Sequence, residues 1–461
     1  MIMKKSIIFI SILIGLLFFL NSSQYLSWFY ILSQNKDPLY VDFVGQVLGK
    51  FFQALGVVCY MIYVKLTKRN LFSIVGFSTL ISANFLLTVL TILPALRGFI
   101  TITGLLMNIL IGILYALYVS FTIAIVPNEV YGLSFGTGIG ISCIFSYLLY
   151  VYDPSYSFTT SSPCLFLYGL IGIISIFYLI GNQNLINNEY IKADSTAEAK
   201  EFGTSNLLLA GVLLAFVSST YAMGYFVPSQ DINDFHISVE MMRLFYFASL
   251  VVAGFLNDKS RRLGFLLILI ALAFAFSMPL MRANSTGVFI TWVISYFTGG
   301  FVTICRAIFF LDVANKTGKT YLAPLGLAIG RASEPVGMLL RFRFNDDNTL
   351  LLLVISLMFS LTIVLFAITF SRIYSQNHST ADAPTTPEEF HNVFSAKYDL
   401  SAREIQILDE ILERHSNKEI ASILYITEAT VKFHVKNLLR KTNCKNRNEL
   451  IKLYNNSFIS Q

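Results

Sequence analysis

Charge is the scarcest commodity in this sequence: only 13% of its 461 residues are Asp, Glu, Lys or Arg, where soluble globular chains carry about a quarter. That shortage excludes an ordinary cytosolic enzyme and equally a disordered chain, which needs high net charge and low hydrophobicity. Cysteine is sparse too. The five residues Cys59, Cys143, Cys164, Cys305 and Cys444 are odd in number, far apart and without a C-x-x-C pair. Four of them lie in apolar runs, where Cys acts as a small hydrophobe, so neither a disulfide framework nor a metal site is expected. The five histidines (His236, His378, His391, His415, His434) fall outside the apolar runs. No Gly-rich phosphate loop and no nucleophile motif occurs. A catalytic constellation is therefore missing, and the reading is of a non-enzyme without cofactor or metal.

What fills the sequence is apolar. Hydrophobic residues make up 55% and aromatics 15%, with a mean hydropathy of +0.65. A helix crossing about 30 Å of hydrocarbon needs roughly 20 apolar residues. Runs of that kind occupy about 6–31, 43–64, 71–93, 98–126, 131–151, 163–181, 206–228, 241–256, 264–281, 287–311, 321–340 and 349–371. This pattern predicts an all-α, polytopic bundle of twelve helices. The fourth and fifth runs are separated only by Pro127-Asn128-Glu129. Met-Ile-Met-Lys-Lys opens the first run, but Asn21-Ser22-Ser23-Gln24 stands where a small-residue cleavage site would, so an uncleaved span is expected.

Loop charge sets the orientation. With the N-terminus cytoplasmic, the inner segments hold Lys4, Lys5, Lys65, Lys68, Arg69, Lys192, Lys200, Lys259, Arg261, Arg262, Lys316, Lys319 and Arg372; the outer ones hold Lys36, Arg97, Arg282, Arg341 and Arg343. The excess places both termini in the cytoplasm and the chain in the inner (plasma) membrane, surrounded by lipid.

The runs divide six and six about a polar loop at 182–205, giving halves 1–181 and 206–374 within a membrane domain of residues 1–374. Two such halves suit proteins that rock about a central site. After the eighth run comes Gly254-Phe-Leu-Asn-Asp258-Lys259-Ser-Arg261-Arg262. It resembles the G-x-x-x-D-R-x-G-R-R loop of the major facilitator superfamily, with Arg261 in place of the second Gly. The corresponding first-half loop, Tyr63-Val-Lys65-Leu-Thr-Lys68-Arg69, keeps the positive charge but has neither the Asp nor the Gly residues. In that family the loop takes part in the conformational cycle, so its loss argues against active transport. Charges inside spans are costly and mark sites: Lys50, Arg306, Arg331 and Glu334. Arg331 and Glu334 are i, i+3 on one helix face and able to pair, near Gly330, Pro335 and Gly337. Two readings stand here: a cavity for a polar or anionic small molecule, or a neutralised pair joining spans.

Residues 375–461 differ in kind. They hold 11 Lys+Arg and 11 Asp+Glu, out of 33 and 27 in the whole chain, which is the composition of a soluble domain. A polar, Pro-containing stretch at 375–398 reads as a linker, with a short helix near 388–394, and 399–461 as the domain. Ser401-x-x-Glu404, Ser416-x-x-Glu419 and Asn446-x-x-Glu449 are N-cap signatures. With Thr427-Glu428 they predict helices over 401–413, 417–424, 428–441 and 446–455. The turn Tyr425-Ile426-Thr427 is short enough for a helix-turn-helix. From Arg414 to Lys452 nine basic residues face three acidic ones, a composition that takes phosphates.

The stretches Leu400-Ser-Ala-Arg-Glu404-Ile-Gln-Ile-Leu408, Ser416-Asn-Lys-Glu419-Ile-Ala421, Ile426-Thr-Glu428-Ala-Thr430-Val431-Lys432-Phe-His434-Val435, Lys441 and Asn446-Arg447 closely resemble the LuxR-type helix-turn-helix domain. The resemblance implies that 428–441 is a recognition helix in double-stranded promoter DNA. Lys432, Phe433 and Lys436 would face the groove, Thr430 a phosphate, and Val431 the core behind it; Lys418 and Arg440 complete the DNA-binding set. It also implies that 446–455 mediates homodimerisation on DNA. Two departures stand out: Arg414 replaces the usual Gly, and Asn443 takes the place of a second Gly. Together the parts read as a bacterial, membrane-embedded transcription regulator whose bundle senses a small molecule, with a secondary transporter carrying a regulatory tail as the alternative.

Overall fold

The computed structural model describes residues 2–34, 36–67, 74–153, 162–181, 204–225, 239–277, 285–344, 348–370, 391, 394–395, 398, 400–442, 444 and 446–459. Most of the expected polar loop and of the expected linker, and also Asn443, lie outside them. The chain forms two compact units, Met1–Phe370 and Ser371–Gln461. Both are helical, with no strand among the described residues.

The first unit contains α1 (Ile2–Ser33), α2 (Pro38–Thr67), α3 (Ile74–Ile92), α4 (Ile100–Ile125), α5 (Tyr131–Tyr152), α6 (Ser162–Gly181), α7 (Thr204–Tyr225), α8 (Val239–Lys259), α9 (Arg261–Ser277), α10 (Ser285–Thr317), α11 (Leu325–Arg343) and α12 (Asn348–Phe370). Among the described residues eight helices are long and apolar enough to cross a membrane: α2, α3, α4, α5, α7, α8, α10 and α12. Helix α11 is not one of them because it carries Arg331, Glu334, Arg341 and Arg343. Pro127 separates α4 from α5 through a short 3₁₀ turn, Asn128–Val130, as the proline's missing N–H requires. Helix α2 includes a π-helical segment, Asp42–Leu48, one turn before Lys50.

In an apolar medium backbone groups must be paired within the segment, and hydroxyls in these helices follow suit. Ser23, Ser27, Thr88, Thr122 and Thr298 each donate to the carbonyl four residues back. Buried amides then join helices: Asn84 Nδ2 donates to Gln24 Oε1 at 2.5 Å, and Gln53 Nε2 to Asn108 Oδ1 at 2.6 Å.

The packing repeats after six helices. α1 lies on α5 as α7 lies on α11, and α2 on α4 as α8 on α10; between the halves α5 meets α8 and α2 meets α11. At the α5–α8 crossing Gly132 and Gly254 oppose each other, and a Cβ on either would meet the other's backbone. Next to them Asp258 accepts from the Gly132 and Leu133 N–H groups at the start of α5, at 2.7 and 2.6 Å. Arg261 secures Asp258 (2.8 Å), Asp312 on α10 (2.8 Å) and the Asn128 carbonyl (2.5 Å). The first half cannot copy this clasp without an Asp; there Lys65 lies over the Tyr321 ring, 5.8 Å from its centroid. Lys68 and Arg69 are outside the described residues.

Overpacking a close helix crossing costs about 1–3 kcal/mol. Gly254→Val is therefore expected to lower the thermal midpoint of the detergent-solubilised chain by a few degrees. Gly98→Val should not, because a Cβ there meets nothing within 4 Å.

Candidate nucleic-acid interface and charged cluster in the bundle

The second unit is built around the caps its sequence announces. Its helices are α13 (Ala402–Leu412), α14 (Asn417–Ile423), α15 (Glu428–Lys441) and α16 (Arg447–Ile459). Ser401/Glu404 and Ser416/Glu419 form complete capping boxes. Thr427 accepts from the Thr430 N–H at 3.2 Å, and Asn446 from the Glu449 N–H at 2.9 Å. Ile407, Leu408, Ile411, Ile420, Val431, Leu438 and Leu450 make the core. Phe394 joins them, 2% exposed, with its ring 4.9 Å from Tyr454 on α16, while His391 Nδ1 lies 3.1 Å from the Tyr454 hydroxyl. The domain thus begins before residue 399, inside the stretch expected as linker. The sequence signal was there: Phe394 and Tyr398 are aromatics in an otherwise polar stretch.

Two non-glycine residues adopt left-handed backbone. Arg414, where the resemblance expects Gly, has φ 67°, and Tyr425, in the turn between α14 and α15, has φ 53°. Arg447 fixes the first of these turns by donating to the His415 carbonyl. Glu404 joins α13 to α15: burial alone would raise its carboxyl, but hydrogen bonds from Lys441 (2.8 Å) and from Ser401 outweigh burial and hold it below the usual range.

On α15 the side chains expected at DNA separate by depth. Lys432, Lys436 and Arg440 are exposed, as is Lys418 on α14. Phe433 is 61% exposed beside them. Val431 is wholly buried and acts only through packing. Thr430 is half-buried, with its hydroxyl 2.8 Å from that of Thr427. Lys432 is already paired with Glu428 at 2.8 Å, and that hydrogen bond and charge hold the Glu428 carboxyl below its ordinary range.

In the bundle three of the four intramembrane charges meet, with Arg331 beside them. Glu334 binds Lys50 of α2 (Oε2, 3.1 Å) and Arg306 of α10 (Oε1, 3.2 and 3.3 Å), and Arg306 also donates to Ser218 of α7 at 2.6 Å. Gly330 makes this possible, since a Cβ there would strike the Arg306 guanidinium. Arg331 does not pair with Glu334: its guanidinium lies over the Tyr115 ring of α4, 5.6 Å from the centroid. Helix α11 stays continuous through Pro335, which has no N–H to offer the Arg331 carbonyl. Sequence reasoning missed Arg243, at the edge of the short eighth run, which acts electrostatically on Tyr115. Tyr115 itself was hidden among many aromatics.

Comparison with known proteins bears on both units. Residues 399–454 match the family described as "Bacterial regulatory proteins, luxR family". The nitrate/nitrite response regulator protein NarP of Escherichia coli (strain K12) is 52% identical over 48 residues, 10% of this chain and 22% of that protein. The spore germination protein GerE of Bacillus subtilis (strain 168) is 34% identical over 58 residues, 13% of this chain and 78% of that protein. The chain thus spans under a quarter of NarP but most of GerE. For the bundle, the crystal structure of the human organic anion transporter MFSD10 is similar with TM-score 0.53 and 13% identity, covering 79% of this chain and 99% of that one. The Escherichia coli fucose:proton symporter FucP gives TM-score 0.50 and 13% identity over the same shares. These two likenesses are of fold: a membrane helical bundle of transporter type.

Left-handed backbone costs a non-glycine residue about 1–2 kcal/mol. Arg414→Gly is accordingly expected to stabilise the isolated second unit by about 1 kcal/mol in urea unfolding. Because the folded-state pKa of Glu404 is depressed, its contribution is present above the unfolded value of about 4.3 and is lost as pH falls through the folded one. Glu404→Gln should cost about 1–3 kcal/mol at pH 7 and flatten the decline in stability on acidification.

Proposed function

Since the chain belongs, through residues 399–454, to the luxR family of bacterial regulatory proteins, we propose that it is a membrane-embedded transcription regulator. The observation that carries this reading is the exposed basic face of α14 and α15, Lys418, Lys432, Lys436 and Arg440 around Phe433, on a helix-turn-helix seated on buried Val431. Lysines and arginines on such a face neutralise phosphates, and the helix edge reads bases in the major groove. The bundle takes the place that a soluble sensor would occupy and senses a small molecule. Both termini lie in the cytoplasm of a cell whose inner membrane holds the bundle. One such domain binds weakly, so two copies meet on adjacent half-sites through α16. His391 and Phe394, packed on Tyr454, tie the front of the domain to α16.

The transporter fold and the charges within it favour a second reading, a secondary transporter whose tail reports on its cargo. Counterflow in proteoliposomes separates the two readings: accumulation of a substrate supports the second, and a ligand that changes promoter output without accumulating supports the first.

Residues 391–461 are expected to bind promoter DNA flanking the gene with affinity falling steeply as salt rises. Lys432→Ala with Lys436→Ala should weaken binding at least tenfold and lower the salt slope by about two. Unchanged binding by the double variant would overturn the assignment of α15.

A further inference from the structure

The interior of the bundle holds more positive charge than its one shared carboxylate can meet. Both oxygens of Glu334 are used, Oε2 by Lys50 and Oε1 by Arg306. Arg331, on the same helix, makes no hydrogen bond or ion-pair contact among the described residues; its guanidinium lies over the Tyr115 ring and feels the Glu334 carboxylate only at a distance. The residue is half-buried. A guanidinium removed from bulk water without an anion is costly by several kcal/mol. Contact with an aromatic face offsets part of that and leaves the N–H fork free for an acceptor lying in its plane.

What surrounds the fork narrows the class of acceptor. Tyr115 is stacked on Phe18 of α1, their centroids 4.7 Å apart. Tyr25 of α1 and Tyr246 of α8 lie within electrostatic range of Arg331. The contacts around Arg331 are thus aromatic on the side of α1 and α4. A carboxylate meets a guanidinium with two parallel hydrogen bonds. A flat apolar body behind it would stack on tyrosine faces.

We propose that Arg331, set over Tyr115 between the two halves, receives a small planar organic carboxylate bearing an apolar ring, and that Lys50 and Arg306 hold the helices together instead of contacting it. This names the ligand class for the sensing role given above and rests on that reading only for its consequence at the promoter.

The test uses the full chain, purified in detergent, with benzoate as probe and benzamide, hexanoate and inorganic phosphate beside it. Benzoate is expected to raise the thermal midpoint by several degrees, hexanoate less, and benzamide and phosphate hardly at all. Arg331→Gln should weaken benzoate binding at least tenfold while its own midpoint stays at or above that of the parent chain, since an unpaired charge has been removed. Arg331→Lys, which keeps the charge without the fork, should fall between. Stabilisation by benzamide equal to that by benzoate, undiminished benzoate binding in Arg331→Gln, or no shift with any of the carboxylates would overturn the proposal. Phosphate acting as well as benzoate would overturn its planar part. A promoter reporter distinguishes the two levels. Benzoate that binds through Arg331 without altering transcription supports the site and defeats the sensing role, whereas a response that persists in Arg331→Gln defeats the site and leaves sensing standing.

Discussion

A charge in a low-dielectric interior has to find its opposite, and in this bundle Glu334 serves that need for two helices at once. Lys50 comes to it from α2 in the first half and Arg306 from α10 in the second. Because α11 carries the carboxylate, three helices are fixed relative to one another at one point. Much of the surrounding sequence is arranged to let this happen. Gly330 makes room for the Arg306 guanidinium, Ser218 takes one of its N–H groups, and the close approach of α10 to α11 passes over Gly326. A buried ion pair contributes little net stability against an apolar replacement, but removal of one partner is severe. Such a cluster therefore specifies an arrangement more than it strengthens one.

The two halves repeat each other in helix packing but not in their chemistry. At the α5–α8 crossing a carboxylate sits on the two exposed N–H groups at a helix start, with Arg261 locking it to α10. At the corresponding end of α2, Lys65 lies over the ring of Tyr321, in the 3₁₀ turn that precedes α11. A charge-assisted hydrogen bond to a helix N-terminus is directional and strong; a cation over a ring near the surface is softer. The bundle is thus held on both sides of its pseudo-symmetry by different chemistry, Asp258 with Arg261 at one crossing and Lys50 with Glu334 at the other.

Much of this was legible in the sequence wherever the physics is local. Apolar run length gave the helices, since chain in hydrocarbon has few alternatives. The caps Ser401, Ser416, Thr427 and Asn446 placed the starts of the domain helices to within a residue, because an orphan amide needs an acceptor three residues away. The helix ends were less legible: α10 continues to Thr317 beyond its apolar run, because polar residues near a helix end need not stop it. Pairing within the bundle was only half legible. The spacing of Arg331 and Glu334 allowed an ion pair, but two cations from distant helices reached the carboxylate first, a competition no local pattern displays. Phe394 went unread for a related reason, since its partner Tyr454 lies sixty residues away.

The ion pair on α15 bears on how such a helix would travel along DNA. On the reading proposed above, Lys432 would meet the duplex beside a carboxylate, since its ammonium lies 2.8 Å from Glu428 in an exposed pair. On a random stretch of groove, binding requires either parting the pair or bringing a carboxylate near phosphates, and both shorten the dwell time. Only a base edge that gives each partner something in return, such as a cytosine amino group for the carboxylate and a guanine acceptor for the ammonium, makes the exchange even. A helix built this way would lose affinity for bulk DNA and scan it faster, spending its time where the sequence repays both charges.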